Sequence, residues 1–315
     1  MNPPRPFKPQ TGFSLIEIAI VLGILGLLFA LFAGVSANQI SQHRRELTRN
    51  RLANIDLALT LFVSQYKRLP CPADGKLASS AANAGQENPL PAPPASQPAN
   101  CTPGTGTNNQ QDGVVPWAAL GLTASDIEDG WGGRFTYRVG PDLVVDGAMD
   151  FSSCDTTGTK PTVFITPAPY CNPAGTLPSN CNSATYPGNC TPLNTALTGA
   201  PGKGLLVKNN NIAPAPPIVI MNPSGSPSNG AAYVVISHGA EGGGAYGGQG
   251  VMQLSGTLPG AGESNNFANL AYATPASFLV DDVYNATAAD HFDDLVSRPN
   301  ILTLATKAQL GPRSH

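Results

Sequence analysis

Charge is what this chain has little of. Only 12% of its 315 residues are Asp, Glu, Lys or Arg, and the formal net charge is -3. That balance excludes an acidic solvating tail and a chain that holds nucleic acid by overall basicity. Histidine is scarce at 4 residues, and the 6 cysteines contain no closely spaced C-x2-4-C pair, the usual mark of structural zinc. Glycine (34) and proline (31) are plentiful, about a fifth of the chain together, and predict many turns, long irregular connections and little helix beyond the N-terminus. The length suffices for one large core or two small ones.

An even cysteine count in loop-rich sequence points to disulfides formed outside a reducing cytoplasm. The candidates are Cys71, Cys101, Cys154, Cys171, Cys181 and Cys190. Six cysteines allow 15 pairings, so connectivity is not readable. Bridging of the neighbours Cys71 and Cys101 around a proline-rich loop is one expectation, and six buried thiols are the alternative.

From Ile18 to Val35 the sequence has no charged or strongly polar residue, and with the flanks Phe13 to Ala37 it is long enough to cross a bilayer. Two readings of this segment compete. As a secretory signal peptide, Arg5 and Lys8 form the basic region and Val35-Ser36-Ala37 the cleavage site, which releases a soluble binding or enzymatic domain starting at Asn38. Against that reading, the apolar run is long for a signal core and carries a carboxylate, Glu17, in its first turn. Ser14-x-x-Glu17 also matches a capping box, where the helix dipole favours an acid.

The string Gly12-Phe13-Ser14-Leu15-Ile16-Glu17, after a short leader with two basic residues and before an apolar helix, resembles the processing signal of type IV prepilins and type II secretion pseudopilins. The resemblance implies cleavage between Gly12 and Phe13 by a prepilin peptidase, N-methylation of Phe13, and assembly with other pilin or pseudopilin subunits. It implies an α+β, pilin-like fold: a long N-terminal helix, membrane half plus amphipathic half, packed on an antiparallel β-sheet head with long disulfide-containing loops. It places the chain in a bacterial inner membrane as a single-pass protein, N-terminus cytoplasmic and head periplasmic, before it joins a pilus or pseudopilus at the cell surface. The corresponding division is leader 1–12, filament-spine helix 13–37, amphipathic continuation 38–68 and head 69–315.

Cleavage would create a cationic amine at the edge of an apolar bundle. A lone charge there is costly, whereas Glu17 of one subunit and the Phe13 amine of its neighbour neutralise each other and fix the axial register. Gly26, Ala30 and Gly34 form a small-x-x-x-small stripe that allows close helix approach.

Beyond Ser36 the residues Leu52, Ile55, Leu59, Phe62 and Tyr66 recur at helical spacing, so an amphipathic helix continues to about Lys67. Arg44, Arg45, Arg49 and Arg51 lie on it, and their number after the apolar run runs against the positive-inside rule for a cytoplasmic leader. Such a cluster suits a solvated or subunit-contacting face, or DNA or lipid phosphates.

The stretches 76–111 and 155–211 read as long loops. Between them, short β-type runs stand at Arg134–Val139, Leu143–Val145, Thr162–Thr166, Gly204–Lys208, Pro217–Met221, Ala231–Ser237 and Ser277–Val280, while Ala288–Val296 and Ile301–Leu310 read as short helices. Two segments extend the resemblance to major pseudopilins: Asp129-Gly130-Trp131-Gly132-Gly133-Arg134, like their tryptophan-glycine strand entry, and Val235 to Gly242, like their glycine-rich loop. In those relatives a loop here holds calcium, for which this chain offers Glu241 but no second acid until Glu263.

Signals for catalysis are weak. Gly242-x-Gly244-x-x-Gly247 satisfies a dinucleotide fingerprint without a helix pattern after it. Ser237-His238 lacks the glycines of a nucleophile elbow. Asp281-Asp282 and Asp293-Asp294 suit calcium or, more simply, solvated helix starts. The expectation is a non-enzymatic minor or tip-type subunit with no cofactor beyond that calcium option, whose head contacts a surface ligand or DNA.

Overall fold

The computed structural model describes residues 14–88, 112–140, 143–144, 149, 204–209, 218–223, 229–253, 263–266, 278–285 and 291–310, and for 28–38, 112 and 264 the backbone alone. The first element, α1 (Leu15–Tyr66), begins where Ser14 can cap it. Ile16 N donates to Ser14 Oγ at 3.3 Å and Ser14 N donates to Glu17 Oε2 at 2.9 Å, which satisfies two of the amides a helix start leaves open. It ends where Lys67 turns left-handed (φ 55°) and its ammonium donates to Ser64 O at 2.7 Å. The chain divides into two compact units, Met1–Arg45 and Glu46–His315.

In the first unit, described side chains from Leu15 to Leu27 are apolar apart from Glu17 and exposed all round the helix. In the second, Thr48, Leu52, Ile55, Leu59, Phe62 and Val63 are buried at steps of three and four, so this part of α1 turns one stripe to a core.

The strands are short. Among the described residues the first sheet has the order β1 (Asp112–Val114), β3 (Thr136–Val139), β6 (Tyr233–Ser237), β9 (Leu295–Ser297), antiparallel throughout. The pair β2 (Gly133–Arg134) and β7 (Tyr246–Gly247) forms a second sheet. A third runs β5 (Val219–Met221), β4 (Val207–Lys208), β8 (Leu279–Val280), with β4 and β8 parallel. The period of two places Tyr233 and Val235 with the α1 stripe and Val234 and Ile236 with Val207, Met221 and Leu279 of the third sheet. Strand β6 is thus covered on both faces and reads as a continuous apolar run for that reason. A closing helix, α2 (Ile301–Lys307), is capped by Asn300, whose Oδ1 accepts Thr303 N at 2.7 Å.

Several expectations are corrected. Among the described residues no helix is long and apolar enough to cross a membrane. The membrane half of the expected pilin-like α+β fold falls with that, as do the transmembrane helix and the single-pass inner-membrane placement. The expected single antiparallel sheet is also corrected to three small sheets among the described residues, one of them mixed, because β6 needs a cover on the side away from α1. Residues 291–296 are not helical: Leu295–Ser297 pair with β6, Ser297 opposite Val235. Leu143 and Val144 are buried without forming a strand. Thr162–Thr166, and both proposed loops apart from 76–88 and 204–209, lie outside the described residues.

Candidate functional site

Two places concentrate features that the core does not require. The first is the start of α1. Glu17 serves its own helix as the capping acid, while Gly12 and Phe13 lie outside the described residues. Leu15 is 87% exposed, Leu22 63% and Leu27 66%. A Cβ added at Gly26 of the small-residue stripe, or at Gly23 one turn before it, would meet nothing within 4 Å; the side-chain positions of Ala30 and Gly34 fall outside the described residues. Apolar exposure recurs in the second unit at Leu57 and Leu61, which border an open groove of about 470 Å³ with Phe62, Leu120 and Leu122. The backbone of α1 is helical through Val35-Ser36-Ala37, so a signal-peptidase cut there would fall inside a helix.

The second place gathers acids from three segments. The turn after β6 brings Glu241, a 3-10 turn (Glu263–Asn266) brings Glu263, and the approach to β9 brings His291, Asp293 and Asp294. Gly239 makes the convergence sterically feasible: at φ +58° it has no Cβ, and one placed there would lie 2.3 Å from the Asp293 carboxylate. Asp293 Oδ2 accepts Ala240 N at 2.6 Å, and Asp293 N donates to Glu263 Oε1 at 2.7 Å. Asp294 is nearly closed off: its Oδ2 accepts Asn266 Nδ2 at 2.7 Å and its Oδ1 stands 3.7 Å from His238 Nδ1. Burial raises the Asp294 carboxyl well above the usual carboxylate range, helped by the charges of Glu263, Asp293 and Glu241 and opposed by Asn266. Burial likewise raises Glu263.

The geometry suits calcium poorly. Calcium takes six to eight oxygens, yet Asp293 Oδ2 and Asp294 Oδ2 are already hydrogen-bonded. An imidazole nitrogen also stands inside the oxygen set: His291 Nδ1 lies 3.4 Å from Glu263 Oε2 and 3.6 Å from Glu241 Oε2.

Other expected residues have structural work. Arg51 donates to Glu128 O at 2.5 Å, whereas Arg44 and Arg49 are exposed. Asp129, at the head of the glycine-tryptophan motif, accepts Trp131 N and Gly133 N, both at 2.9 Å, and the Ser237 hydroxyl at 2.6 Å. Ser237 is therefore turned to Asp129, and His238 Nε2 shares a 2.7 Å hydrogen bond with Thr136 Oγ1. Gly242, Gly244 and Gly247 lead into β7 rather than a helix. Asp281 pairs with Arg298, and Asp282 Oδ1 accepts Val283 N at 2.7 Å. Cys71 is buried and disulfide-bonded, and the other five cysteines lie outside the described residues.

Sequence reasoning missed two buried polar sites and a half-buried one. Arg134 reaches Leu77 O, Ser79 Oγ and Gly248 O at 2.7 to 2.9 Å beneath the Trp117 ring. Arg68 and Glu87 form a two-pronged pair at 2.8 and 3.0 Å. Asp56 on α1 accepts hydroxyls from Tyr233 and Ser297, tying the helix to β6 and β9. A lone Asp inside an apolar helical stripe was the available signal for Asp56; nothing local marks the others. The chain matches no family model, no curated protein and no solved structure.

Proposed function

We propose that this chain is a structural subunit of the minor pilin or pseudopilin kind, processed between Gly12 and Phe13 and assembled into a filament through α1. The observation that carries the reading is the exposure, on every side of α1 from Leu15 to Leu27, of apolar side chains behind a capped start. A helix apolar all round is stable only when something covers it, and helices of like subunits offer the same surface at the same register. The unfilled space at Gly23 and Gly26 fits that close approach.

Glu17 fits both a local and an intersubunit role. Its Oε2 accepts Ser14 N, and the carboxylate's remaining acceptor capacity suits the amine that cleavage would expose on a neighbour's Phe13. The partners on this reading are a prepilin peptidase and methylase, and other subunits of the filament. The test is the mass of the N-terminal peptide of the mature protein from its own host. A peptide starting at Phe13 and heavier by one methylene is expected; one starting at Met1 or Asn38 overturns the reading.

A further inference from the structure

From the mixed donor set in the head we infer a site for one divalent cation of the zinc kind, held by Glu241, Glu263 and His291. The three come from separate turns, and their ligand atoms all lie within 4.8 Å of one another. The edges from His291 Nδ1 to Glu263 Oε2 and Glu241 Oε2 are 3.4 and 3.6 Å. Hydrogen bonds in an ordinary His-carboxylate pair are nearer 2.9 Å. Four donors about 2.1 Å from a tetrahedral centre instead stand about 3.4 Å apart. The two edges from His291 have the spacing of donors around a common centre.

The surroundings agree. Among the described residues Glu241 Oε2 is a buried atom with no hydrogen-bond donor, and it faces His291 Nδ1 at 3.6 Å. Glu263 is held by the amide of Asp293, which donates to Oε1 at 2.7 Å, and both of its carboxylate oxygens face His291 Nδ1, Oε1 at 3.3 Å and Oε2 at 3.4 Å. Such outer contacts hold ligating carboxylates in place. The side chains of His291 and Glu241 keep 17% and 24% exposure, an opening for water or a fourth ligand. One nitrogen with two carboxylates suits a borderline metal, whereas calcium would pass over the imidazole. The cation would join the turn after β6 to the Glu263–Asn266 turn and the start of β9.

The test uses the full chain, stripped with chelator and desalted, in native mass spectrometry and titration with Zn2+ and separately with Ca2+. One retained Zn2+ per chain is expected, with His291→Asn weakening it by more than about 100-fold, beyond the loss of an outer contact. Asp282→Asn, away from the cluster, should bind as the parent does, and circular dichroism checks that His291→Asn is folded. No retained Zn2+, equal affinity in a folded His291→Asn variant, or tighter binding of Ca2+ than of Zn2+ would each overturn the assignment. The N-terminal mass test reads a different end of the chain, so the two proposals fail independently.

Discussion

Asp129→Ala and Asp129→Asn should part company widely. The carboxylate is buried and holds the chain reversal Asp129–Gly133 to β6 through three bonds: Trp131 N and Gly133 N to Oδ1, and Ser237 Oγ to Oδ2. Bonds to a charged acceptor contribute about 1.5–3 kcal/mol each, a gross loss of about 5–9 kcal/mol for alanine. Burial of the charge opposes that: it raises the Asp129 carboxyl, with Ser237 and the turn amides pulling it back down. The net loss for Asp129→Ala should be about 3–4 kcal/mol, the range for a broken buried network. Asparagine keeps Oδ1 for both amides and turns an NH2 to Ser237 Oγ, which can accept it, while the buried charge disappears. Its expected cost is about 1 kcal/mol or less.

The pH dependence has a definite sign. Because the folded carboxyl binds its proton more tightly than the unfolded one, its contribution is complete below the unfolded value near 4 and is lost as pH rises through the folded one. Asp129→Asn should therefore gain on the parent as pH rises from about 4 to 7. Urea denaturation at several pH values measures both effects. An asparagine variant as unstable as alanine, or an alanine variant within about 1 kcal/mol of the parent, would refute the reasoning.

Three further predictions concern the same head. Arg68→Met leaves Glu87 charged and buried with, among the described residues, the Cys71 amide as its remaining donor, and should cost about 3–5 kcal/mol in urea; Arg68→Met with Glu87→Leu should cost less than Arg68→Met alone. Gly85→Ala should cost about 2–3 kcal/mol, measured the same way, because φ is +72° and the new Cβ would fall 2.2 Å from the Trp117 ring. Burial, with the Arg138 charge assisting, lowers the His238 pKa to about 3. The unfolded imidazole takes its proton near 6.5, so stability should fall as pH drops between those values, by up to about 1.4 kcal/mol per unit. His238→Gln should flatten that slope by about one proton, and an unchanged slope would place the uptake elsewhere.

How much of this was legible depends on whether a feature is local. The α1 stripe follows a period that neighbouring residues reveal, and Leu52, Ile55, Leu59 and Phe62 are buried as expected. Tyr66 is 56% exposed, because the helix ends there and its ring leans on Phe62 instead, 4.5 Å between centroids. The run around β6 was legible for the same reason, whereas the turn that Asp129 holds through Trp131 N and Gly133 N was not read from the sequence. Strands β1 and β9 were not, since Asp112–Val114 and Leu295–Ser297 carry three residues each and acquire strand character only from β3 and β6 beside them. The Arg68–Glu87 pair joins residues 19 apart through a fold that neither residue announces.

The acidic cluster shows how one misread element conceals a site. Read as a helix, Ala288–Val296 would turn Asp293 and Asp294 to solvent, where paired carboxylates need no explanation. Tyr233 to Ser237 form a strand whose edge must be paired, and Leu295–Ser297 pair it. That pairing draws the preceding residues across the end of β6, directs Asp294 beside His238 and seats Asp293 against Ala240 N. Glu263, 22 positions beyond Glu241 in sequence, then meets it through His291. The calcium expectation stalled at Glu241 because sequence distance was taken for spatial distance. Once the strand is in place, the question changes from whether enough acids exist to what offsets so many of them around one imidazole.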